Sequence, residues 1–243
     1  MTPVLKARES APWTTAQTLS GGGDVLLLAP HPDDETLGCG GAIAALSEAG
    51  HTVQVVVVTD GCRSHPRSLS HPPDRLRRLR AAEVAQAVHI LTSGRGPAPV
   101  MLNCPDSAPP DDEDAYVGAA RRILDLINDR TTALWTAWRA DPHPDHGRTA
   151  SVADLIARQN PHLALWSYPI WGRFVEDVPT LDACRLFRLD TQPWQARKAE
   201  ALAAHASQMT GLITDDPGGF RMTDALQQHF VATPELFFQE TAP

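Results

Sequence analysis

Residues 25–59 read VLLLAPHPDDETLGCGGAIAALSEAGHTVQVVVVT, and this stretch decides the fold. It opens on an unbroken apolar run, Val25 to Ala29, introduced by the glycines 21–23. It closes on a second run, Val53 to Thr59, rich in β-branched residues. Short apolar runs of this kind, bounded by turn residues, are strands buried on both faces. Between them Gly38 to Ala49 reads as a helix, with Gly50 as its C-terminal cap. A strand, a helix and a second buried strand predict a right-handed βαβ unit in a parallel sheet.

The same alternation continues outward. A polar, proline-broken loop, Asp60 to Pro73, precedes a predicted helix from Asp74 to Ile90. A short strand is expected within Pro97 to Asn103, an acidic loop over Pro105 to Asp114, and a helix over Ala115 to Asp129. Ala133 to Trp138 reads as a strand, Thr149 to Gln159 as a helix and Leu163 to Tyr168 as a strand. The remainder suggests a strand, Cys184 to Leu189, a helix from Pro193 to Ala206 and a less regular end. No repeat and no long linker divides the chain. The expectation is one α/β domain with a mainly parallel sheet over residues 24–243, preceded by an N-terminal extension, residues 1–23.

A chain of 243 residues can bury one sizeable core. Its formal charge of -8 is a poor balance for neutralising phosphates, so nucleic acid is not an expected partner. No apolar run approaches the roughly 20 residues of a membrane span. The N-terminus carries Lys6, Arg8 and Glu9 without an apolar segment, unlike a signal peptide, and a cytoplasmic location is expected. The four cysteines are scattered without a close pair, which favours free thiols over disulfides or a cysteine zinc site. Cys39 reads as a small buried residue rather than a reactive thiol.

Two clusters carry chemistry. His31-Pro32-Asp33-Asp34-Glu35 follows the first strand, at the edge where open α/β sheets place their ligands. Three adjacent carboxylates repel one another unless a cation or donors compensate them. Asp141-Pro142-His143-Pro144-Asp145-His146 follows a later strand. Parallel strands of one sheet deliver their following loops to the same edge, so the clusters can converge. Together they supply the three His or carboxylate ligands of a catalytic zinc, with acids and a histidine left over for proton transfer. Six further histidines, His51, His65, His71, His89, His162 and His229, lack such company.

These residues resemble the LmbE-like and PIG-L-like metal-dependent de-N-acetylases, the N-acetylglucosaminyl deacetylases, which pair an (A/P)HPDDE motif with a later HPDH motif. The resemblance extends to Thr36 through Gly41, to Thr59-Asp60-Gly61, to Arg80 and Glu83, and to Lys198 with His205-Ala206-Ser207-Gln208. It implies a Rossmann-like fold and one zinc ion per chain, held by His31, Asp34 and His146. Asp33 is then the general base, His143 the group that stabilises the oxyanion or protonates the leaving amine, and Asp145 the residue that orients His143. A carboxylate beside His143 is expected to make it more readily protonated. Arg63 matches the family's substrate-contacting basic residue. The implied reaction removes an N-acetyl group from an N-acetylglucosaminyl conjugate, a small molecule, releasing acetate and a free amine.

Alternatives stay open at this level. His2Asp ligation also suits Fe2+. A different N-acyl chain, a non-sugar amide or a silent sugar- or metal-binding module is compatible with the motifs, and so is a homo-oligomer. Gly38-Cys39-Gly40-Gly41 lacks the spacing of a dinucleotide fingerprint. Trp135, Trp138, Trp166, Tyr168 and Trp171 suit either sugar rings or core packing.

Overall fold

The computed structural model describes residues 1–107, 113–178, 181 and 185–240. Its strands are β1 (Trp13–Thr14), β2 (Asp24–Ala29), β3 (Val53–Thr59), β4 (Val100–Cys104), β5 (Thr131–Ala137), β6 (Ala164–Tyr168), β7 (Arg185–Leu189) and β8 (Glu235–Gln239). They form one sheet in the order β1-β7-β8-β6-β5-β2-β3-β4. All run parallel except β8, which is antiparallel to both β6 and β7. The expected α/β, mainly parallel architecture is what is found.

The apolar run of β2 is unbroken because both faces are covered. Val25, Leu27 and Ala29 face one core, packed with α3 (Asp34–Glu48), α4 (Pro73–Leu91) and α7 (Gln195–Ala204). Leu26 and Leu28 face the other, with α5 (Glu113–Leu124) and α6 (Pro144–Gln159). Fully burying a leucine such as Leu27 stabilises by about 1.5–3 kcal/mol.

Both motif helices start earlier than their apolar patterns indicate, α3 at Asp34 rather than Gly38 and α6 at Pro144 rather than Thr149. Acidic residues in a first turn suit the positive end of the helix dipole, and proline suits the first helical position. The helix expected to reach Asp129 stops at Leu124. The less regular end is in fact ordered. It forms α8 (Ala206–Met209), α9 (Asp224–Ala232) and β8, whose Leu236, Phe237 and Phe238 are fully buried. Residues 1–23 are packed too: α1 (Pro3–Ser10) buries Val4, β1 pairs with β7, and α2 (Ala16–Ser20) buries Leu19. Cys184 and most of the acidic loop after Pro105 lie outside the described residues.

An ion pair is inserted into α3. Lys198 Nζ donates to the Leu37 carbonyl at 2.9 Å and to Glu235 Oε1 at 2.7 Å. Glu235 in turn accepts the N–H groups of Gly41 and Ala42. The glycines of this helix make room: a Cβ on Gly38 would lie 2.3 Å from Tyr168 Cδ2, and one on Gly41 would lie 2.4 Å from Thr191 Cγ2.

Candidate active site

β2 and β5 are neighbours, with Leu27 opposite Trp135, so the loops leaving their carboxyl ends lie side by side. Residues 112 apart in sequence thereby meet: the rings of His31 and His143 are 4.6 Å apart, centroid to centroid. Asp34, in the first turn of α3, is the point of convergence. Its Oδ2 lies 3.1 Å from His31 Nδ1 and 3.4 Å from His146 Nε2. His146 is fully buried, and among the described residues its Nε2 has no hydrogen-bond partner.

Asp33 precedes that helix with φ 147°, in a region that non-glycine residues rarely occupy, at a cost of order 1–3 kcal/mol. Arg80 reaches across from α4, donating to Asp33 Oδ2 at 3.2 Å and to the carbonyls of Pro32 and Gly61. Burial pushes the Asp33 carboxyl up to about 7, with Arg80 opposing and Asp34 reinforcing the shift. Burial disfavours a charged His146, but Asp34 and Asp141 outweigh it and push the imidazole up to about 9. These histidines sit in a field made by carboxylates, the field a cation would meet.

His143 departs from expectation. Burial, then the neighbouring His31 and His146, hold its imidazole below the usual histidine range, where a paired carboxylate was expected to raise it. Asp145 is placed differently as well. Its carboxylate lies 3.0 Å from His31 Nε2 and accepts the Ser107 N–H, and it meets His143 through its backbone N–H, which donates to His143 Nδ1 at 3.3 Å. His143 thus caps α6.

These groups open onto a cavity of about 600 Å³ lined by His31, Asp33, Asp34, Arg63, Arg80 and His143 among others. Arg63 is on its wall, with its backbone N–H bonded to Asp106. Of the aromatic residues near strand ends, Trp135, Trp138, Trp166 and Tyr168 are core, whereas Trp171 lines the cavity and packs edge-on against Phe220 at 5.8 Å. One wall joins two distant loops: Phe220 N–H donates to the Ser64 carbonyl, and Asp216 accepts the Arg67 N–H. Cys39 is buried beneath, and burial raises its thiol well above the usual range.

Two acidic residues given no role by the sequence belong here. Asp106 Oδ1 lies 3.6 Å from His31 Nε2, and Asp141 Oδ1 lies 3.2 Å from His146 Nδ1. Position was the available signal for Asp106, which follows β4 much as His31 follows β2.

The family model for PIG-L, the GlcNAc-PI de-N-acetylases, matches residues 26–157, more than half of the chain. The chain belongs to this family. It is accordingly a de-N-acetylase, a hydrolase. The uncharacterized deacetylase YaiS of Escherichia coli K12 is 25% identical over 174 residues, covering 71% of this chain and 88% of YaiS. Among solved structures, the N,N'-diacetylchitobiose deacetylase of Pyrococcus horikoshii superimposes with a TM-score of 0.63 at 20% identity, over 91% of this chain and 85% of that one. GalB, the 4-carboxy-2-hydroxymuconate hydratase of Pseudomonas putida KT2440, gives 0.66 at 17% identity, over 91% and 97%. At these identities the likeness to the PIG-L member's solved relatives is one of fold, and the fold also carries hydration chemistry. Among the described residues, no helix is long and apolar enough to cross a membrane.

Proposed function

We propose that this PIG-L member is a zinc-dependent deacetylase that hydrolyses the N-acetyl group of an N-acetylglucosaminyl conjugate, yielding acetate and a free amine. One observation carries the metal assignment. His31 Nδ1 and His146 Nε2 lie 3.1 and 3.4 Å from Asp34 Oδ2, and among the described residues the buried His146 Nε2 has no other partner. Two imidazoles and a carboxylate are a donor set that suits zinc with a further position open. Bound there, zinc would polarise the substrate carbonyl and lower the pKa of water.

The chain's own residues supply the rest. Asp33, in the same cavity and held by Arg80, accepts a proton from the attacking water. His143, on the cavity wall beside His31, donates toward the carbonyl oxygen as charge develops or toward the departing amine. Asp145 holds His31 from its Nε2 side and so keeps Nδ1 turned toward Asp34. Arg63 and Trp171 offer a guanidinium and an aromatic face to the rest of the conjugate.

The sugar assignment follows the family description and the named substrate of the Pyrococcus enzyme. The test is acetate release from a panel of N-acetylglucosamine conjugates by zinc-loaded wild type and Asp33→Asn, with metal analysis of protein purified without oxygen. Release by wild type alone is expected. Iron in large excess over zinc would overturn the metal, and no release from any conjugate by zinc-loaded protein would overturn the substrate.

A further inference from the structure

Asp33 is held at two ends. Arg80 grips the carboxylate, as described above. The peptide is held separately: the Asp33 N–H donates to Glu35 Oε2 at 3.0 Å. A glutamate in the first helical turn that reaches back to the N-cap N–H makes half of a capping box; the reciprocal half is missing, because the Asp33 side chain makes no cap bond to the helix. Here the other carboxylate oxygen is occupied as well. Glu35 Oε1 accepts from Thr36 Oγ1 at 2.6 Å and lies 3.0 Å from His205 Nε2.

His205 comes from the turn between α7 and α8, 170 positions along the chain from Glu35. Both side chains have zero exposure. Among the described residues His205 Nδ1 has no hydrogen-bond partner, and Nε2, 3.0 Å from a carboxylate oxygen, must carry a proton to bond it, so Nε2 donates to Glu35. The turn carrying His205 is itself pinned to α4. Ser207 donates its N–H and its hydroxyl to Glu83 at 2.7 and 2.6 Å, one helical turn from Arg80. A single helix thus anchors the Asp33 carboxylate through Arg80 and the Asp33 peptide through the turn of His205 and then Glu35.

A carboxylate wholly out of water must be fully hydrogen-bonded to stay where it is. His205 and Thr36 complete the shell of Glu35, and Glu35 restrains a residue whose positive φ would otherwise relax. Loss of about 1 Å in the placement of a base costs on the order of a hundredfold in rate.

We propose that Glu35 and His205 are positioning residues, a buried pair that holds the Asp33 peptide in its strained conformation and so keeps the carboxylate aimed into the cavity. The inference rests on the reading of Asp33 as the general base. Neither residue touches the reacting atoms. Their effect passes through Asp33.

The experiment compares zinc-loaded wild type, Asp33→Asn, His205→Ala, His205→Gln and Glu35→Gln with the double variant Asp33→Asn/His205→Ala, using a conjugate that wild type turns over. His205→Ala is expected to lower kcat by about 10- to 100-fold with KM within about twofold of wild type. Added to Asp33→Asn, it should cost less than about a further twofold, because two residues acting through one base do not multiply. His205→Gln, which keeps an N–H donor for Glu35, should recover most of the loss. Two readouts need no turnover. Zinc affinity by chelator competition should be unchanged, and hydrogen exchange at the Asp33 amide should quicken at least about tenfold in His205→Ala and Glu35→Gln.

Multiplied losses in the double variant, a rise in KM at unchanged kcat, or unchanged exchange at Asp33 would overturn the proposal. Should His205→Ala not fold, His205→Gln and Glu35→Gln carry the exchange and kcat comparison. Full turnover by Asp33→Asn would overturn the base assignment and this inference with it, whereas an inactive Asp33→Asn beside a fully active His205→Ala would overturn this inference alone.

Discussion

Asp141 Oδ1 faces His146 Nδ1 at 3.2 Å, and both side chains are wholly buried. The other oxygen, Asp141 Oδ2, accepts the N–H groups of Ile170 and Gly172, so the carboxylate is anchored to the loop that follows β6. A carboxylate placed behind a histidine turns the ring's other nitrogen toward a ligand and raises its basicity. Asp141→Asn should therefore weaken zinc binding by about 10- to 100-fold while leaving the fold intact. Chelator competition measures the affinity, and an unchanged value would show that Asp141 does not act through His146.

Asp33→Asn should keep its zinc and lose at least about a hundredfold in kcat, the usual contribution of a general base. Metal content and acetate release on the same sample check both halves. A parallel loss of zinc would make Asp33 a ligand rather than a base.

The pH dependence follows from the same carboxyl, which burial pushes up to about 7. A base works in its ionised form, and a raised pKa keeps it protonated further up the pH scale. Activity should rise with pH along an acid limb and level off above it. A bound dication favours the ionised carboxylate, so the limb falls at or below pH 7. The profile of kcat/KM for zinc-loaded enzyme tests this, and a rate that falls as pH rises toward neutrality would contradict it.

Lys198→Met removes the cation of the buried pair with Glu235 and leaves the Leu37 carbonyl without its donor. Breaking one side of a buried ion pair costs about 3–5 kcal/mol. Urea unfolding should show a loss of that order, and a loss below about 1 kcal/mol would mean that Met packs as well as the ion pair.

Gly38→Ala places a methyl 2.3 Å from the Tyr168 ring, in a helix that cannot move without moving Asp34. Overpacking of this kind costs about 1–3 kcal/mol, or several degrees in Tm for a chain of this length. Thermal unfolding checks it, with Gly118→Ala, whose methyl would meet no atom of the described residues within 4 Å beyond its chain neighbours and helix backbone, as the tolerant control.

The clusters at 31–35 and 141–146 were legible in sequence because their parts are local. Apolar runs mark β2 and β5, and in a parallel sheet the loops after such strands share one edge, so convergence of His31 with His146 follows from pattern and topology. The first turns of α3 and α6 escape the apolar pattern because they are polar, and a rule based on apolar period passes over a helix that begins with its charged residues. β8 is illegible in the sequence for another reason. Its four buried residues, Glu235 to Phe238, gain their order from lying between β6 and β7 and from the pair Glu235 makes with Lys198.

The sheet type, the edge that receives both clusters and the residues offered there are written in the sequence, because each depends on periodicity or on neighbours in the chain. The folded chain alone sets which partners meet: the Asp145 carboxylate lies against His31, Asp141 against His146, Asp106 beside His31, and Glu35 between the Asp33 N–H and His205. Those pairings join strand ends and turns up to 170 positions apart. They are set by which buried donor finds which buried acceptor once water is gone, and no local pattern records that choice.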